Sequence, residues 1–503
     1  MTFIQAARMS LRSRGFWLSK NRLVGLVALA AILFRVAMAC QPGFHQPDEI
    51  WQYVEPAWGW ITGHWIATWE FHVGLRGWLV PMMFRPILAT AQAIAPGAQI
   101  DLALLRLVIG LISLVIPYTF WRLGAKISAS HAIVAGWVGA IWPEVFYFST
   151  RPSGENLATI LIMSAILAFY ANPRKETFRT IWIGFSLALA AAIRFQYLPA
   201  IGVLGLAALY AQCSVQKSAR MFIGAAAGLA LSAAADLAAG QPPFGWLMTN
   251  FSMNLSQNRS AFFGTQPAWW YGDQIIRTWS IGTIVFIPAI VIAARRFPLL
   301  LAIGLITIVT HSLIPHKEYR FILLGQLQLI FLAAIGTVDI FQKIRWSSFE
   351  SSRIYAIVMP LWFALAMTTS LITPFVDNWG KGRALFHSMA LASGDPALCG
   401  LAIYRAPHHP TASYALLGRS VPILLIDGPN AKLVAAANAS SFNMAFAPRY
   451  AETELPNSYR LVRCEFPHKR AKDQYYCIFK RPGLCPGVSR DFDYNASLSR
   501  LGH

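Results

Sequence analysis

Between Leu23 and Thr373 the chain passes through one apolar stretch after another, most near the roughly 17 to 22 residues a helix needs to cross about 30 Å of hydrocarbon. Backbone polar groups inside a bilayer must be satisfied within the segment, so such a chain folds as a bundle of membrane helices. The expected crossings are approximately 23–40, 102–120, 131–148, 157–172, 179–193, 197–212, 219–239, 276–294, 298–314, 320–338 and 354–373. The first run continues into Phe34-Arg35-Val36 without a convincing small-residue cleavage site and is expected to remain as a span. From Pro374 to His503 the composition is that of a soluble protein. The expected organisation is a transmembrane unit over 1–373, with 41–101 as its first outer loop, and an outer-face domain over 374–503. The whole chain is 56% hydrophobic and only 13% charged, which a soluble enzyme of 503 residues would not sustain.

The segment 78–96 decides the topology. If it does not fully cross, one side collects Arg8, Arg12, Arg14, Lys20 and Arg22, then Arg122 and Lys126, Arg174, Lys175 and Arg179, Lys217 and Arg220, Arg295 and Arg296, and Lys343, Arg345 and Arg353. If it crosses, the basic bias reverses in every later loop. The positive-inside rule therefore makes it interfacial or re-entrant, and Pro81, Arg85 and Pro86 suit that role. About eleven spans and a cytoplasmic N-terminus follow. The formal net charge of +20 comes from these scattered loop residues and forms no single basic face, so nucleic acid is not an expected partner.

The unusual residues fall on the outer side. In HQPDEIWQYVEP, His45 to Pro56, Pro47 suits a helix start; Ile50, Val54 and Trp58 then share one face and Asp48, Gln52 and Glu55 the other. That spacing predicts a short amphipathic helix lying at the membrane interface. It leaves open whether Asp48 and Glu49 only stabilise the helix start or whether one is a general base. TWEFHVGLRGW, Thr68 to Trp78, adds Glu70 and Arg76. FFGTQPAWWY, Phe262 to Tyr271, offers Trp269, Trp270 and Tyr271 either as interfacial anchors or as a surface beneath a sugar or lipid. HKEYRF, His316 to Phe321, crowds ionisable groups at the mouth of a span, where Lys317 and Arg320 could grip a phosphate or simply snorkel. No GxxxxGK[ST], GxGxxG, CxxC or HExxH pattern occurs and no DxD pair supports nucleotide binding, so neither a nucleotide, a metal nor another cofactor is expected.

The tail reads as a small α/β domain, with strands at CGLAIYR, VPILLID, NMAFA, YRLVRCEF and YYCIFKR and a helix over Asn430–Asn438. Cys464 could face Cys477 across the last hairpin. Four of the six cysteines lie in this tail, which suggests an oxidising compartment.

Three motifs, in order over some 280 residues, carry a resemblance: PDEIWQYVEPAW with TWEF and LRGW, FFGTQPAWWY, and HKEYRF. Together they resemble glycosyltransferase family 22, the polyprenyl-phosphate-mannose-dependent mannosyltransferases. Trp51-Gln52 and the TWEF and LRGW continuation are most similar to the members that act third on the glycosylphosphatidylinositol anchor. Thr150-Arg151-Pro152 with Glu155 and Asn156, Arg194-Phe195, and Asp236 are weaker echoes, while Gln266, Trp269 and Tyr319 depart from the pattern.

The resemblance implies a mainly α GT-C fold, a polytopic membrane protein whose first outer loop holds the catalytic acid. It further implies inverting transfer of mannose from a polyprenyl-phosphate donor to a glycan or glycolipid hydroxyl. Asp48 would then be the base with Glu49 as its competitor, His316, Lys317, Arg320 and Arg194 would hold the donor phosphate, and Gln52, Glu55, Glu70, Arg76, Trp269, Trp270 and Tyr271 would contact substrate. An Ala-rich composition points to a bacterial inner membrane with the site facing the periplasm; a eukaryotic protein would face the ER lumen. Transfer of another lipid-linked sugar onto lipopolysaccharide or a lipid glycan is the near alternative. A secondary transporter or flippase is the distant one, although no repeat between halves supports it.

Overall fold

Each apolar segment singled out above is helical in the computed structural model, which describes residues 20–95, 98–171, 176–212, 214–257, 259, 261, 264–343, 354–405, 412–465, 476–486 and 495. Among the described residues five helices are individually long and apolar enough to cross a membrane: Asn21–Ala39, Ile100–Gly124, Glu176–Ile193, Val215–Ala238 and Tyr319–Lys343. Two further pairs, Trp270–Trp279 with Gly282–Ala294 and Tyr355–Leu371 with Pro374–Ser393, are bent by 112° and 66° and raise the number to seven. Ala129–Ile141, Gly154–Tyr170, Phe195–Ala211, Pro298–Ser312 and Leu79–Ile94 are shorter apolar helices. Arg8, Arg12 and Arg14, and Arg174, Lys175, Arg345, Arg353 and Cys213, lie outside the described residues.

Local chemistry sets the breaks that hydropathy does not show. The expected crossing 131–148 is two helices, Ala129–Ile141 and Pro143–Phe148. Pro143 pushes the preceding Trp142 out of the helical region, to φ −68° and ψ 127°. The run 276–294 turns sharply at Ser280, which has a positive φ of 50°. Ser128 and Ser153 cap the helices that follow them by accepting from His131 N and Asn156 N.

Helix Leu323–Lys343 runs through the middle of the bundle and is buried almost throughout. Helices Glu176–Ile193 and Val215–Ala238 approach so closely that a Cβ on Gly184 or Gly224 would sit 1.9 Å from Met221 O or 2.0 Å from Ile181 O. Such contacts are how membrane helices gain packing without a hydrophobic driving force between them. At one end of the bundle, Asp339 is shared by His131 (3.2 Å) and Arg296 (2.9 Å), tying two helices and the turn before Pro298 through a satisfied buried charge. The remaining buried charges that concern function lie elsewhere, in and beside the loop after the first helix.

The tail forms a five-stranded sheet in the order β2-β1-β3-β5-β4: β1 Leu401–Tyr404, β2 Ile423–Ile426, β3 Met444–Pro448, β4 Arg460–Glu465 and β5 Tyr476–Lys480. β1 runs parallel to β2 and β3, whereas β5 is antiparallel to β3 and β4. Helix Ala431–Ala437 lies between β2 and β3 in sequence, and supplies the crossover that parallel strands require. Cys464 pairs with Cys477 in register and is disulfide-bonded to it; a second disulfide joins Cys399 to Cys485. The link from membrane helix to sheet, Pro374–Gly380 followed by Arg383–Ser393, is stitched to the loop after the first helix. Gln41 Nε2 donates to Trp379 O (3.0 Å), and Tyr147 Oη donates to Asn378 O (3.0 Å).

Candidate active site

Pro47 and Asp48 open a helix whose first stretch, Glu49–Val54, is a π-helical turn that continues into the α-helix Glu55–Thr62. π-Turns frequently occur at functional positions. Ile50, Val54 and Trp58 are buried on one face as the spacing requires. The opposite face does not lie on an interface, however. Gln52 and Glu55 are buried as well, and the chain around Ser413–Leu417 covers Glu55. Glu55 Oε2 accepts from Ala415 N (2.8 Å), while Oε1 accepts from Ile66 N (2.9 Å) and Tyr414 N (3.3 Å). The expected interfacial helix is thus an internal one, and Glu55 is fully occupied with backbone.

The neighbouring acids have different fates. Glu49 is buried; it accepts from His45 N at 2.9 Å and lies 3.9 Å from Arg106. Asp48 makes no capping hydrogen bond, and its side chain, 38% exposed, receives Arg320 Nη2 at 2.6 Å. Arg320 reaches two more carboxylates, Glu318 at 3.0 Å and Glu155 at 3.6 Å, and Glu155 in turn holds Arg194 at 3.1 Å. His316 lies 3.3 Å from Glu318. Burial alone would raise the Glu318 carboxyl, but Arg320 and His316 outweigh it and hold it at about 2. The hydrogen bond to Glu318 raises the His316 imidazole, against the opposing effect of burial.

Around this cluster the structure adds Lys381, from the link to the sheet. Burial lowers its ammonium to about 8, with Glu318 and Arg320 among the charges acting on it. Arg151 hydrogen-bonds Gln41 Oε1 (2.9 Å) and stacks on Tyr147. A small cavity of about 50 Å³ is lined by Gln52, Tyr53, Arg76 and Arg194. Arg76 is paired with Glu70 at 2.5 Å and also lines a larger neighbouring cavity.

The sequence candidates therefore separate. Asp48, Arg320, Arg194, His316, Gln52 and Arg76 converge, with Glu70 as the partner of Arg76. Lys317 does not join them: its ammonium donates to Gln266 O (3.1 Å) and Ile314 O, so it fastens two loops together and is not aimed at a phosphate site. Trp269 is 69% exposed and suits an anchor, whereas Tyr271 is wholly buried and packs beside Trp270. Phe262 and Phe263 lie outside the described residues.

Three groups of the cluster, Glu155, Glu318 and Lys381, had no role assigned from sequence. Glu155 had a signal, an acid in STRPSGEN at the start of a helix. Glu318 sits inside HKEYRF. Lys381 belongs to no motif and is brought in by the tertiary fold alone. Glu144, also unassigned, accepts from Trp142 Nε1 (2.7 Å), Trp279 Nε1 (2.9 Å) and Tyr319 Oη, which gives Tyr319 a structural partner.

The sequence pattern of the Alg9-like mannosyltransferase family matches residues 26–398, the membrane helices, the charged cluster and the link to the sheet. The chain belongs to that family. Among its relatives, GPI mannosyltransferase 3 of Yarrowia lipolytica is 28% identical over 308 residues, 59% of each chain. GPI alpha-1,2-mannosyltransferase 3 of Homo sapiens is 26% identical over 330 residues, 62% of this chain and 57% of the human one. The chain thus spans under two thirds of the length of these curated relatives. In structure it is similar to ArnT from Cupriavidus metallidurans bound to undecaprenyl phosphate, with a TM-score of 0.60 and 11% identity over 93% of this chain and 99% of that one. It is also similar to the Archaeoglobus fulgidus oligosaccharyltransferase, with a TM-score of 0.50 and 13% identity over 85% and 68%. These likenesses establish a multi-pass membrane protein of the GT-C fold.

Proposed function

We propose that the protein is an inverting glycosyltransferase that moves mannose from a β-linked polyprenyl-phosphate donor to a hydroxyl of a glycan or glycolipid, at the outer face of the membrane. The observation that carries this reading is the contact of Asp48, the exposed member of its acidic pair, with Arg320, whose guanidinium is held by Glu155 and Glu318. A proton acceptor and a phosphate-binding cation thus stand one hydrogen bond apart. Membership of a mannosyltransferase family and likeness to a protein solved with undecaprenyl phosphate support the donor class.

In the reaction Asp48 takes the acceptor's O–H proton as that oxygen attacks the anomeric carbon. The bond from C1 to the phosphate oxygen breaks, and its electron pair leaves on the polyprenyl phosphate. General-base assistance of this kind is worth about 10²- to 10⁴-fold. Arg320, Arg194 and Lys381 neutralise the negative charge that grows on the leaving phosphate. Lys381 feels the charges of both Glu318 and Arg320, which sets its ammonium beside the cluster for that role. About eleven spans, with the tail and the site in the periplasm, complete the reading.

The test is transfer of mannose from polyprenyl-phosphate mannose in membranes containing Asp48→Asn. Loss of transfer in a correctly folded variant is expected; undiminished transfer would remove Asp48 as the base.

A further inference from the structure

Beside the charged cluster lies a cavity of about 620 Å³, walled on one side by the first outer loop and on the other by residues 236–249. Its size falls within the roughly 300–1,000 Å³ of small-molecule sites. We infer that this cavity is the subsite that receives the acceptor glycan, an inference that rests on the transferase reading above.

The lining has the chemistry of a neutral polyol site. Trp65 and Trp78 stand edge to face with centroids 5.7 Å apart, so one aromatic wall is fixed by its own packing. Trp246 forms the opposite wall, close against the Gly77 backbone, where a Cβ would approach its indole nitrogen to 2.7 Å. Any side chain at 77 would therefore displace that indole. Aromatic faces offer apolar area at little conformational cost and suit the flat C–H faces of a sugar ring.

His72, at an exposed position, lines the cavity beside Arg76. Polar groups in the lining favour a ligand carrying many oxygens over an isoprenoid chain, which carries none there. Gln241 and Thr249 add further polar groups to the lining. The charges argue against a phosphate. Arg76 is already neutralised by Glu70, and the Asp236 carboxylate lies in the wall, fixed by Trp78 N and Phe244 N at 3.0 Å each. Position supplies the last step. Arg76 lines both this cavity and the smaller one shared by Gln52 and Arg194, so a saccharide held here lies next to the cluster that contains Asp48.

The experiment uses the purified full chain in detergent, with α-1,2-mannobiose and farnesyl phosphate as separate probes followed by saturation-transfer NMR. The wild type binds both. Thr249→Trp fills the cavity and loses mannobiose while keeping farnesyl phosphate. Trp246→Ala removes the opposite aromatic wall and weakens mannobiose about five- to tenfold. Gln241→Ala, at an exposed position, serves if Thr249→Trp does not fold, and weakens mannobiose alone. Equal mannobiose binding by wild type and these variants, loss of farnesyl phosphate in place of mannobiose, or no mannobiose binding by the wild type at its solubility limit would each overturn the assignment. Saccharide binding requires neither donor nor chemistry, so failure here is distinguishable from failure of the Asp48→Asn test.

Discussion

Arg320 donates to Asp48 at 2.6 Å across 272 positions of sequence, and the same guanidinium serves Glu155 and Glu318. A cation encircled by three carboxylates is not idle charge. In the proposed reaction, an arriving donor phosphate competes with Asp48 for the guanidinium, so donor binding itself frees the carboxylate to take a proton. The fork geometry matters, because a lysine presents a point charge and cannot serve several planar acceptors together. Arg320→Lys is therefore expected to lower transfer by at least about tenfold while the protein remains folded, measured as kcat/KM beside a thermal melt.

Asp48 and Glu49 should part company under mutation. Asp48→Asn is expected to reduce turnover by about 10²- to 10⁴-fold with little change in melting temperature. Glu49→Gln, at a buried carboxylate near Arg106, is expected to lower stability by about 1–3 kcal/mol and to slow turnover less. A melting curve and a single-turnover assay on both variants separate the two roles.

Lys381 predicts a pH limb. Its ammonium is charged below about 8 and neutral above, so stabilisation of the leaving phosphate should fade as pH rises through about 8. Lys381→Arg should move the alkaline limb of kcat upward, and Lys381→Met should remove the limb while lowering kcat at pH 7. A wild-type rate that stays flat to pH 10 would exclude the role.

Lys317 should behave as a fastener. Lys317→Met leaves the carbonyls of Gln266 and Ile314 without their shared donor and is expected to cost about 1–2 kcal/mol. Turnover per folded molecule should change less than threefold. A large fall in kcat with unchanged stability would return Lys317 to the phosphate site.

Glu55 gives stability a pH dependence of stated sign. Burial raises its carboxyl from 4.5 to about 7, against the pull of the backbone donors at Ala415, Ile66 and Tyr414. The folded state thus keeps a proton that the unfolded state releases above pH 4.5. This contribution is full below 4.5, falls as pH rises to about 7, and amounts to on the order of 3 kcal/mol at 1.36 kcal/mol per unit. The difference in melting temperature between wild type and Glu55→Gln should shift in the wild type's disfavour from pH 5 to pH 7.5. A constant difference would refute the shift.

Much of this was legible from residue order. Alternation and apolar runs placed all five strands and the helix Ala431–Ala437, because those strands are bounded by turn residues and need no distant partner to be recognised. The acidic pair and HKEYRF stood out because charge at a span's mouth is costly. What periodicity could not show is which chain covers which face. Gln52 and Glu55 have the spacing of an exposed polar stripe, yet residues 413–417 close over Glu55 and Gln52 lines an internal cavity. Lys317 and Arg320 look alike in a motif, yet three residues of a tight turn aim one at carbonyls and the other at carboxylates. Lys381 carries no local pattern at all, since its place is set by the packing of Gly382 against Phe44.

The bonds from Glu55 to Tyr414 and Ala415 have a consequence for how the protein could be divided. A carboxylate rooted about two turns beyond Asp48 spends itself on the backbone of the tail, so the sheet is no passenger that could be exchanged for another or cut away behind the last span. Severed at that seam, the membrane half would retain a buried acid with the Tyr414 and Ala415 donors gone, in the same helix as the residue proposed to take the proton.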